Sequence, residues 1–410
     1  MNSSRPERLI FMDYLRGFLV VLVVLDHAVQ GYALRFGRFW FFPDFDRDTF
    51  FDVLHMINNG FMMMLLFFLA GLFVLPSLKR RGYLSFAKER FLRLVVPFLV
   101  GLPLLCPLLT YPRYVFKENP LMGFGEYWLG LFSDPELMSK WQAGPLWFIY
   151  YLVLLTTVLV LIYSLVPGVI RLLARGVQSM VARPWLALGL VIFTSALLLG
   201  ISDLIWGAPW WIGFGKLFYV QGSRFLLQAF YFLLGALIAE AGLLEKPKLW
   251  DGLANRWPTL LVTTLVAGTL YIGYSLNFYE DGAYNVLVRR HFHEGEDWTT
   301  LWPVFMEGAP MVLARTTLHA LFCTFISLFL LGFFRAQLNH PHRLWASLAV
   351  SSYGIYLTHE PFVVWAHFGM NGLEIPSFVK WLISGVGALV VSWALVQKVL
   401  LRIPGLRRVL

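Results

Sequence analysis

The sequence is poor in charge and in cysteine. Asp, Glu, Lys and Arg make up 14% of its 410 residues, against roughly 25% in soluble globular proteins. The two cysteines, Cys106 and Cys323, both lie inside apolar segments. Neither a disulfide framework nor a zinc motif can be built from them, and no metal is expected. A soluble domain, a disordered chain and a disulfide scaffold are therefore excluded.

The chain is instead rich in long apolar segments. Hydrophobic residues make up 58% of the chain, and segments long enough to cross about 30 Å of hydrocarbon as a helix recur from end to end. We predict an all-α polytopic membrane protein, with one integral membrane domain over residues 1–410 and about ten transmembrane helices. These helices are predicted near residues 9–34, 51–76, 92–111, 145–166, 184–203, 224–243, 257–277, 310–334, 344–368 and 377–401.

The net charge of +9 is interpreted first as membrane topology. With the N-terminus inside, most of the 33 Lys and Arg residues fall in the predicted cytoplasmic connections. This bias orients membrane proteins, so both termini are predicted to be cytoplasmic. The basic residues are divided among separate short loops, which argues against a nucleic-acid surface. The long outer connections, 111–144 and 278–309, carry aromatic residues that fit either an interfacial belt or a sugar-stacking platform.

The first predicted helix concentrates ionisable side chains, each of which costs about 2.5–3.5 kcal/mol at the centre of a bilayer. Arg16 and His27 are eleven residues apart, close to three helical turns, so they share one face about 16 Å apart along the axis. Asp13 lies one turn from Arg16 and predicts an ion pair. Arg16 is then either a structural partner of Asp13 or a ligand-binding residue. A neutral His27 can accept a hydroxyl proton and return it, whereas the alternative is a packing role.

Other predicted helices bring polar side chains to the depth of His27. Arg315 and His319 are four residues apart, which places them on one helix face. We predict that this outer set forms a substrate site and that two of its members act beside His27. The alternative, for His55 and Arg224 above all, is that they snorkel to the interface. The catalytic candidates are His27, His359 and Glu360, and the binding candidates are Arg315, His319, Arg224, His55 and Trp147.

A basic cluster opens the third predicted helix on the cytoplasmic side. Lys88, Arg90 and Arg93 precede Pro97. They fit either anchors of the inner interface or a phosphate clamp, because guanidinium forks match phosphate oxygens. A base near one face and a phosphate site near the other suit a donor whose anionic head stays inside while a long thin arm carries the reacting group.

Several motifs, in this order, resemble those of acyltransferase family three, the integral membrane O-acyltransferases. The family's Arg-x10-His signature corresponds to Arg16 and His27. Its Phe-Phe-x-x-Ser-Gly stretch corresponds to residues 67–71, where Ala70 replaces the serine. The remaining matches are the arginines before a proline at 90, 93 and 97, the Gly-Pro-Leu-Trp-Phe element at 144–148, and the Ser-Tyr-x-x-Tyr-Leu-x-His-x-Pro pattern at 352–361.

The resemblance implies transfer of an acyl group, succinyl or acetyl, from cytoplasmic acyl-CoA to a carbohydrate hydroxyl on the outer side. The acceptor would be a periplasmic glucan or another surface glycan, the membrane would be the bacterial inner membrane, and acyl-CoA would be a co-substrate rather than a permanently bound cofactor. In this interpretation His27 is the general base, and Arg315 with His319 neutralises a succinyl carboxylate. The donor-binding residues would be Arg16, Lys88, Arg90 and Arg93. The outer binding candidates would contact the acyl group or the acceptor.

Two other function classes fit part of the sequence. A secondary transporter of a small anionic solute would also have buried ionisable groups, but it would more often show a repeated pattern of interrupted helices, which is not evident in this sequence. A lipid-linked glycosyltransferase or ligase would draw on the carboxylates of the outer connection 278–309. The sequence leaves the oligomeric state open, a homodimer included.

Overall fold

The structure is a computed structural model, and it describes residues 9–37, 40–118, 121–206, 211–214, 218–281 and 297–409. Part of the predicted outer connection 278–309, from residue 282 to residue 296, lies outside the described residues. Nearly all regular structure in the described part is helical, with a single two-stranded antiparallel hairpin. The predicted all-α polytopic membrane class is confirmed.

The first half of the chain begins with one long helix and continues with a series of shorter, connected ones. A π-helical segment, Phe91–Val95, joins two of them, and a 3-10 turn, Gly144–Leu146, precedes another. The helices are α1 Ile10–Val29, α2 Thr49–Asn59, α3 Met62–Leu72, α4 Val74–Arg81, α5 Tyr83–Arg90, α6 Val96–Lys117, α7 Phe124–Ser133, α8 Pro135–Met138, α9 Trp147–Leu165, α10 Pro167–Met180 and α11 Pro184–Trp206.

The second half contains the hairpin and longer helices. Strands β1 (Trp211–Phe214) and β2 (Phe218–Gln221) pair in antiparallel register, Trp211 opposite Gln221. The helices are α12 Phe225–Glu240, α13 Pro247–Ala254, α14 Trp257–Asp281, α15 Trp298–Gln337, α16 Arg343–Met370, α17 Ser377–Lys398 and α18 Leu406–Val409, with a 3-10 turn at Leu400–Arg402.

Each of the ten predicted segments coincides with helix, although several boundaries differ. The segment predicted at 51–76 is three helices, because the chain breaks around Gly60 and again at Phe73. The segment predicted at 310–334 extends over Trp298–Gln337. Within the described residues, seven helical stretches are long and apolar enough to cross a membrane. The total of ten spans and the side on which each terminus lies stay predictions.

Glycines allow two of the central helices to cross closely. Gly71 on α3 lies against the backbone of Phe232, and Gly235 on α12 lies against the backbone of Phe68. A Cβ atom at either position would collide with a carbonyl oxygen, so only glycine fits there. The Phe-Phe-x-x-Ser-Gly stretch is therefore at least partly a packing motif, in which Phe67 also packs against α9 through Phe148, with ring centroids 4.7 Å apart.

Helix α16 holds the site together because it packs against α1, α17 and α6. Its buried residues lie between Ala349 and His367 and include polar ones such as Ser352 and His359. Its contact with α1 brings the two ends of the Arg-x10-His signature against the late Ser-Tyr-x-x-Tyr-Leu-x-His-x-Pro pattern. The two motifs are more than 300 residues apart in sequence and adjacent in space.

Candidate active site

Contacts between α1 and α16 form two groups of side chains, which we name by their chemistry. The histidine level comprises His27, His359, Glu360 and the backbone of Gly144. The arginine level comprises Arg16, Arg93, Ser352 and Tyr353. Ser352 and His359 are seven residues apart on α16, which is about two turns or 10 Å. As the eleven-residue spacing predicts, Arg16 and His27 both face α16.

At the histidine level, two imidazoles meet edge to face. The rings of His27 and His359 have centroids 4.9 Å apart and an interplanar angle of 68°. His359 Nε2 lies 3.3 Å from His27 Nδ1. His359 is fully buried, whereas His27 keeps partial exposure. The partly exposed ring is thus the one of the two that a substrate can reach.

The hydrogen bonds of the two rings assign their tautomers. His27 Nδ1 lies 2.8 Å from the Val23 carbonyl oxygen, and His359 Nδ1 lies 2.8 Å from that of Tyr356. A carbonyl oxygen only accepts, so both Nδ1 atoms carry the proton and donate. His359 Nε2 is then an acceptor toward His27. The lone pair of His27 is on Nε2, which is the atom required of a base.

Glu360 follows His359 and is 4% exposed. It lies within electrostatic reach of His27. Its Oε2 atom is buried and has no hydrogen-bond partner among the described residues. A buried carboxyl oxygen without a partner is costly, so Glu360 Oε2 is an acceptor that is still available for a hydrogen bond.

The Gly-Pro-Leu-Trp-Phe element forms one wall beside Glu360. Gly144 has φ +49°, in the left-handed region that favours glycine. A Cβ atom there would lie 3.1 Å from Glu360 Oε2 and 2.5 Å from Leu109. The Tyr356 hydroxyl donates to the Pro145 carbonyl oxygen, which ties this wall to α16. Trp147 lies farther along, in an aromatic cluster with Trp211 at 5.6 Å between centroids.

At the arginine level, two consecutive residues of α16 contact the segments that carry predicted donor-binding arginines. These segments are α1 and the π-helical segment. Arg16 Nε donates to the Ser352 hydroxyl at 3.4 Å, and its guanidinium pairs with Asp13 at 3.3 Å, as predicted. The Tyr353 hydroxyl donates to the Arg93 carbonyl oxygen at 2.5 Å. Arg93 belongs to the π-helical segment, a rare geometry that is frequent at functional sites. Consecutive residues of α16 therefore contact Arg16 and the backbone of Arg93 at the same level.

The other predicted donor-binding residues adjoin this level on α5. Lys88 is exposed and Arg90 is partly buried, with the Arg90 guanidinium over the Phe86 ring at 5.1 Å. Glu89 lies between the cations and pairs with Arg81 at 2.5 Å and with Arg93 at 3.5 Å. The cluster is thus partly neutralised, and it is open to solvent.

A second set of polar contacts leaves α1 on a different face, and we call it the lateral polar chain. His55 Nδ1 donates to Asp26 at 3.2 Å, and the Asn59 amide contacts His55 Nε2 at 3.2 Å. Arg224 donates to the Asn59 carbonyl oxygen at 2.6 Å, and His319 donates to the Gly60 carbonyl oxygen at 2.9 Å. Asp26, adjacent to His27 in sequence, orients His55 instead.

Arg315 is buried and forms an ion pair with Asp203 of α11. His319, one turn along α15, stacks on Tyr271 with centroids 4.7 Å apart. Neither contact was predicted from the sequence, because Asp203 is not among the predicted site residues. A signal was nevertheless present: Asp203 lies within an otherwise apolar predicted helix, where a lone carboxylate requires a buried cation.

Comparisons with known proteins identify the family to which this chain belongs. A family model described as an acyltransferase domain matches residues 9–397. The chain is similar to glucans biosynthesis protein C of Shigella boydii serotype 4 (strain Sb227) and of Escherichia coli (strain K12), at 26% identity over 166 residues in each case. That match covers 40% of this chain and 41% of the length of each relative. No solved structure matches the chain. Because the family model spans nearly the whole sequence, the predicted resemblance is confirmed and the protein belongs to acyltransferase family three, the integral membrane O-acyltransferases.

Proposed function

We propose that this protein transfers an acyl group from cytoplasmic acyl-CoA to a carbohydrate hydroxyl on the outer side of the bacterial inner membrane. A glucan is the acceptor class that the name of its relatives suggests. The observation that carries the proposal is the histidine level: a partly exposed imidazole with its lone pair on Nε2, supported by a buried imidazole and a buried carboxylate.

In the proposed reaction, His27 Nε2 accepts the proton of the acceptor hydroxyl as its oxygen attacks the thioester carbonyl carbon. The new C–O bond forms, the C–S bond breaks, and the leaving CoA thiolate takes the proton from the imidazolium. Holding both reactants in contact supplies much of the rate, and proton transfer by a positioned base contributes about 10²–10⁴-fold.

The neighbours of His27 would stabilise its charged form. Once Nε2 is protonated, the Nδ1–H becomes a stronger donor to Val23 and to His359 Nε2. Glu360 adds a negative charge within reach, and its Oε2 is suited to accept a hydrogen bond from the acceptor sugar. His359 is therefore proposed as a positioning residue and Glu360 as a residue that contacts substrate.

The arginine level would hold the donor. Arg90 and Arg93 match the phosphates of CoA, with Lys88 at the rim, and Arg16 would line the path of the pantetheine arm. An extended pantetheine arm is well matched to the roughly 16 Å between Arg16 and His27 along α1. Two levels on one pair of helices thus suit a donor that is anionic at one end and reactive at the other.

The test is release of CoA from labelled acyl-CoA by the purified protein in detergent, with and without a glucan acceptor. Wild type should release CoA only when the acceptor is present, and His27→Ala should lower that rate about 10²–10⁴-fold. His340→Ala, which removes an exposed histidine between α15 and α16, is the matched control and should leave the rate unchanged.

Thermal unfolding of both variants distinguishes lost chemistry from lost fold. Acceptor-dependent release that persists in a folded His27→Ala protein would overturn the assignment of the base. Uptake of an anionic solute into proteoliposomes without any acyl-CoA would overturn acyl transfer in favour of transport.

A further inference from the structure

Three lysine and arginine side chains are buried in the described part of the chain, and they differ in what balances their charge. Arg315 forms an ion pair with Asp203, and Lys380 forms one with Asp44 at 2.7 Å. Arg224, the residue that precedes α12, is 8% exposed and has no carboxylate within ion-pair distance among the described residues. A buried charge without a counter-charge is strongly unfavourable. Arg224 therefore lacks the anion that the other two buried cations have.

The Arg224 guanidinium contacts a neutral group instead. It donates to the Asn59 carbonyl oxygen at 2.6 Å, beside the break between α2 and α3. A guanidinium has five N–H donors, so one carbonyl oxygen leaves most of them, and the positive charge, available to a ligand. Arg224 is also the N-cap residue of α12, and no side chain caps that helix end. The start of α12 adds backbone N–H groups and the positive end of the helix dipole.

Gln228, one turn along α12, lacks partners independently of Arg224. Its side chain is fully buried, and neither polar atom of its amide has a hydrogen-bond partner among the described residues. Residues four apart in a helix share a face, so the Gln228 amide lies on the same side of α12 as Arg224. Buried polar groups are nearly always hydrogen-bonded in proteins. The two side chains together therefore mark one enclosed site for a ligand that accepts hydrogen bonds.

We propose that Arg224, Gln228 and the start of α12 bind a small monovalent anion such as chloride. The anion would accept hydrogen bonds from the guanidinium, from the Gln228 amide nitrogen and from the first turn of α12. A water molecule bound beside it would donate to the Gln228 amide oxygen. One negative charge balances one guanidinium, whereas a divalent anion would leave a second buried charge uncompensated. The burial of both side chains favours a small ion over a lipid headgroup.

The proposed anion would stabilise the junction of α12 with the break between α2 and α3. Arg224 donates to the Asn59 carbonyl oxygen at this break, and His319 donates to the Gly60 carbonyl oxygen at 2.9 Å. Arg224 also lies within electrostatic reach of His319. Without the anion, the positive charge of Arg224 would be unbalanced beside this junction. The inference concerns binding and stability, and it is independent of the acyl-transfer reaction.

Bromide, which resembles chloride in charge and is only slightly larger, can locate the site without any variant. The measurement is the anomalous scattering of bromide in crystals of the wild-type protein prepared in sodium bromide. We expect a peak within hydrogen-bonding distance of the side-chain nitrogen atoms of Arg224 and Gln228. Bromide peaks elsewhere only, or no peak, would overturn the inference.

Thermal unfolding in a neutral detergent tests the same site in solution. The melting temperature is measured in sodium chloride and in sodium gluconate at equal ionic strength, because gluconate is too large for an enclosed site. Chloride should raise the melting temperature of the wild type by about 2–4 °C, since a ligand that binds only the folded state stabilises it. Arg224→Met and Gln228→Met should each lose this shift.

The matched control is the double variant Lys380→Met with Asp44→Asn. It removes a buried cation together with its carboxylate, and it should keep the chloride-dependent shift of the wild type. A wild type that melts at the same temperature in both salts, or a shift that persists in both Arg224→Met and Gln228→Met, would overturn the inference. A shift that follows added phosphatidylglycerol instead of chloride, and that is lost in the same two variants, would replace the small anion with a lipid headgroup.

Discussion

The histidine level and the arginine level both lie along α1 and α16 but in opposite environments. His359 and Glu360 are almost completely buried, whereas the side chains of Arg16 and Arg93 are 45% and 47% exposed. Electrostatic interactions are several-fold stronger in the low-dielectric interior than at a wet surface. The buried level is thus suited to stabilise charge that develops during a reaction, and the exposed level to capture a hydrated anionic donor.

The arginine level, the more exposed of the two, contains weak ion pairs. Its ion pairs, Arg16 with Asp13 and Arg93 with Glu89, are solvent-accessible pairs of the kind that contributes about 0–1 kcal/mol to stability. An incoming phosphate can replace such a carboxylate at little cost. Contacts at the histidine level are buried and are mostly to backbone atoms, which do not move on binding. The comparison therefore separates an adaptable donor site from a rigid reaction site.

The largest effect should come from a substitution at the histidine level. His359→Leu has a similar volume but cannot accept the hydrogen bond from His27 Nδ1. We expect kcat to fall about 100-fold with KM for acyl-CoA unchanged, since general-base catalysis is worth about 10²–10⁴-fold and its support is lost. Steady-state kinetics on the purified variant measure both parameters.

The control for that variant is His367→Leu. This histidine is another buried imidazole on α16, hydrogen-bonded to Trp40 at 2.7 Å. It should lower the melting temperature but leave kcat within about 3-fold, because His367 reaches His27 only through Trp40, whose ring centroid lies 6.1 Å from that of His27. Equal falls in kcat for the two variants would show that burial on α16, and not contact with His27, is what matters.

An intermediate effect is expected at Gly144, which lies beside Glu360 at the histidine level. Gly144→Ala adds a Cβ atom 3.1 Å from Glu360 Oε2 and places alanine at a positive φ. Gly372→Ala carries the same backbone cost, at φ +80°, but meets nothing within 4 Å. Both should lose about 1–2 kcal/mol of stability. Only Gly144→Ala should also lower kcat, by about 10-fold, because about 1.4 kcal/mol of misplacement is tenfold in rate. A normal kcat in Gly144→Ala would remove Glu360 from the site.

The smallest effect should come from a substitution at the arginine level. Tyr353→Phe removes the hydrogen bond to the Arg93 carbonyl oxygen, which supports the π-helical segment, while keeping the ring. We expect KM for acyl-CoA to rise about 3- to 10-fold with kcat unchanged, the cost of roughly one hydrogen bond. Tyr14→Phe, whose hydroxyl contacts the backbone of His342, is the control and should alter neither. A fall in kcat in Tyr353→Phe would contradict the division between the two levels.

Local periodicity made the α1 half of the site predictable. The three-turn spacing of Arg16 and His27, and the pairing of Arg16 with Asp13, depend only on helix geometry. His359 of the late motif on α16 was predicted to act beside His27, but the contact of Ser352 with Arg16 and that of Tyr353 with Arg93 were not predicted. Such pairings join residues more than 250 positions apart, and no period in the sequence encodes them.

Partner choice among buried charges was the least predictable feature. Asp26 adjoins His27 in sequence but pairs with His55, and Arg315 pairs with Asp203. Depth along a helix can be read from sequence, whereas the direction in which each helix face points depends on which neighbour packs there. The rotation of each helix about its own axis therefore decides that Arg315 has a carboxylate partner whereas Arg224 does not.

The sequence by itself determined the all-helical membrane class, the position of each apolar segment and the few ionisable residues within them, because hydropathy and helical periodicity are local properties of the chain. Tertiary structure alone decided that α1 and α16 bring His27 to His359, that Gly144 borders Glu360, and that Asp203 neutralises Arg315 but not Arg224. These outcomes follow from side-chain packing and close helix crossings, such as the one at Gly71 and Gly235, where the fit of two distant surfaces sets the geometry.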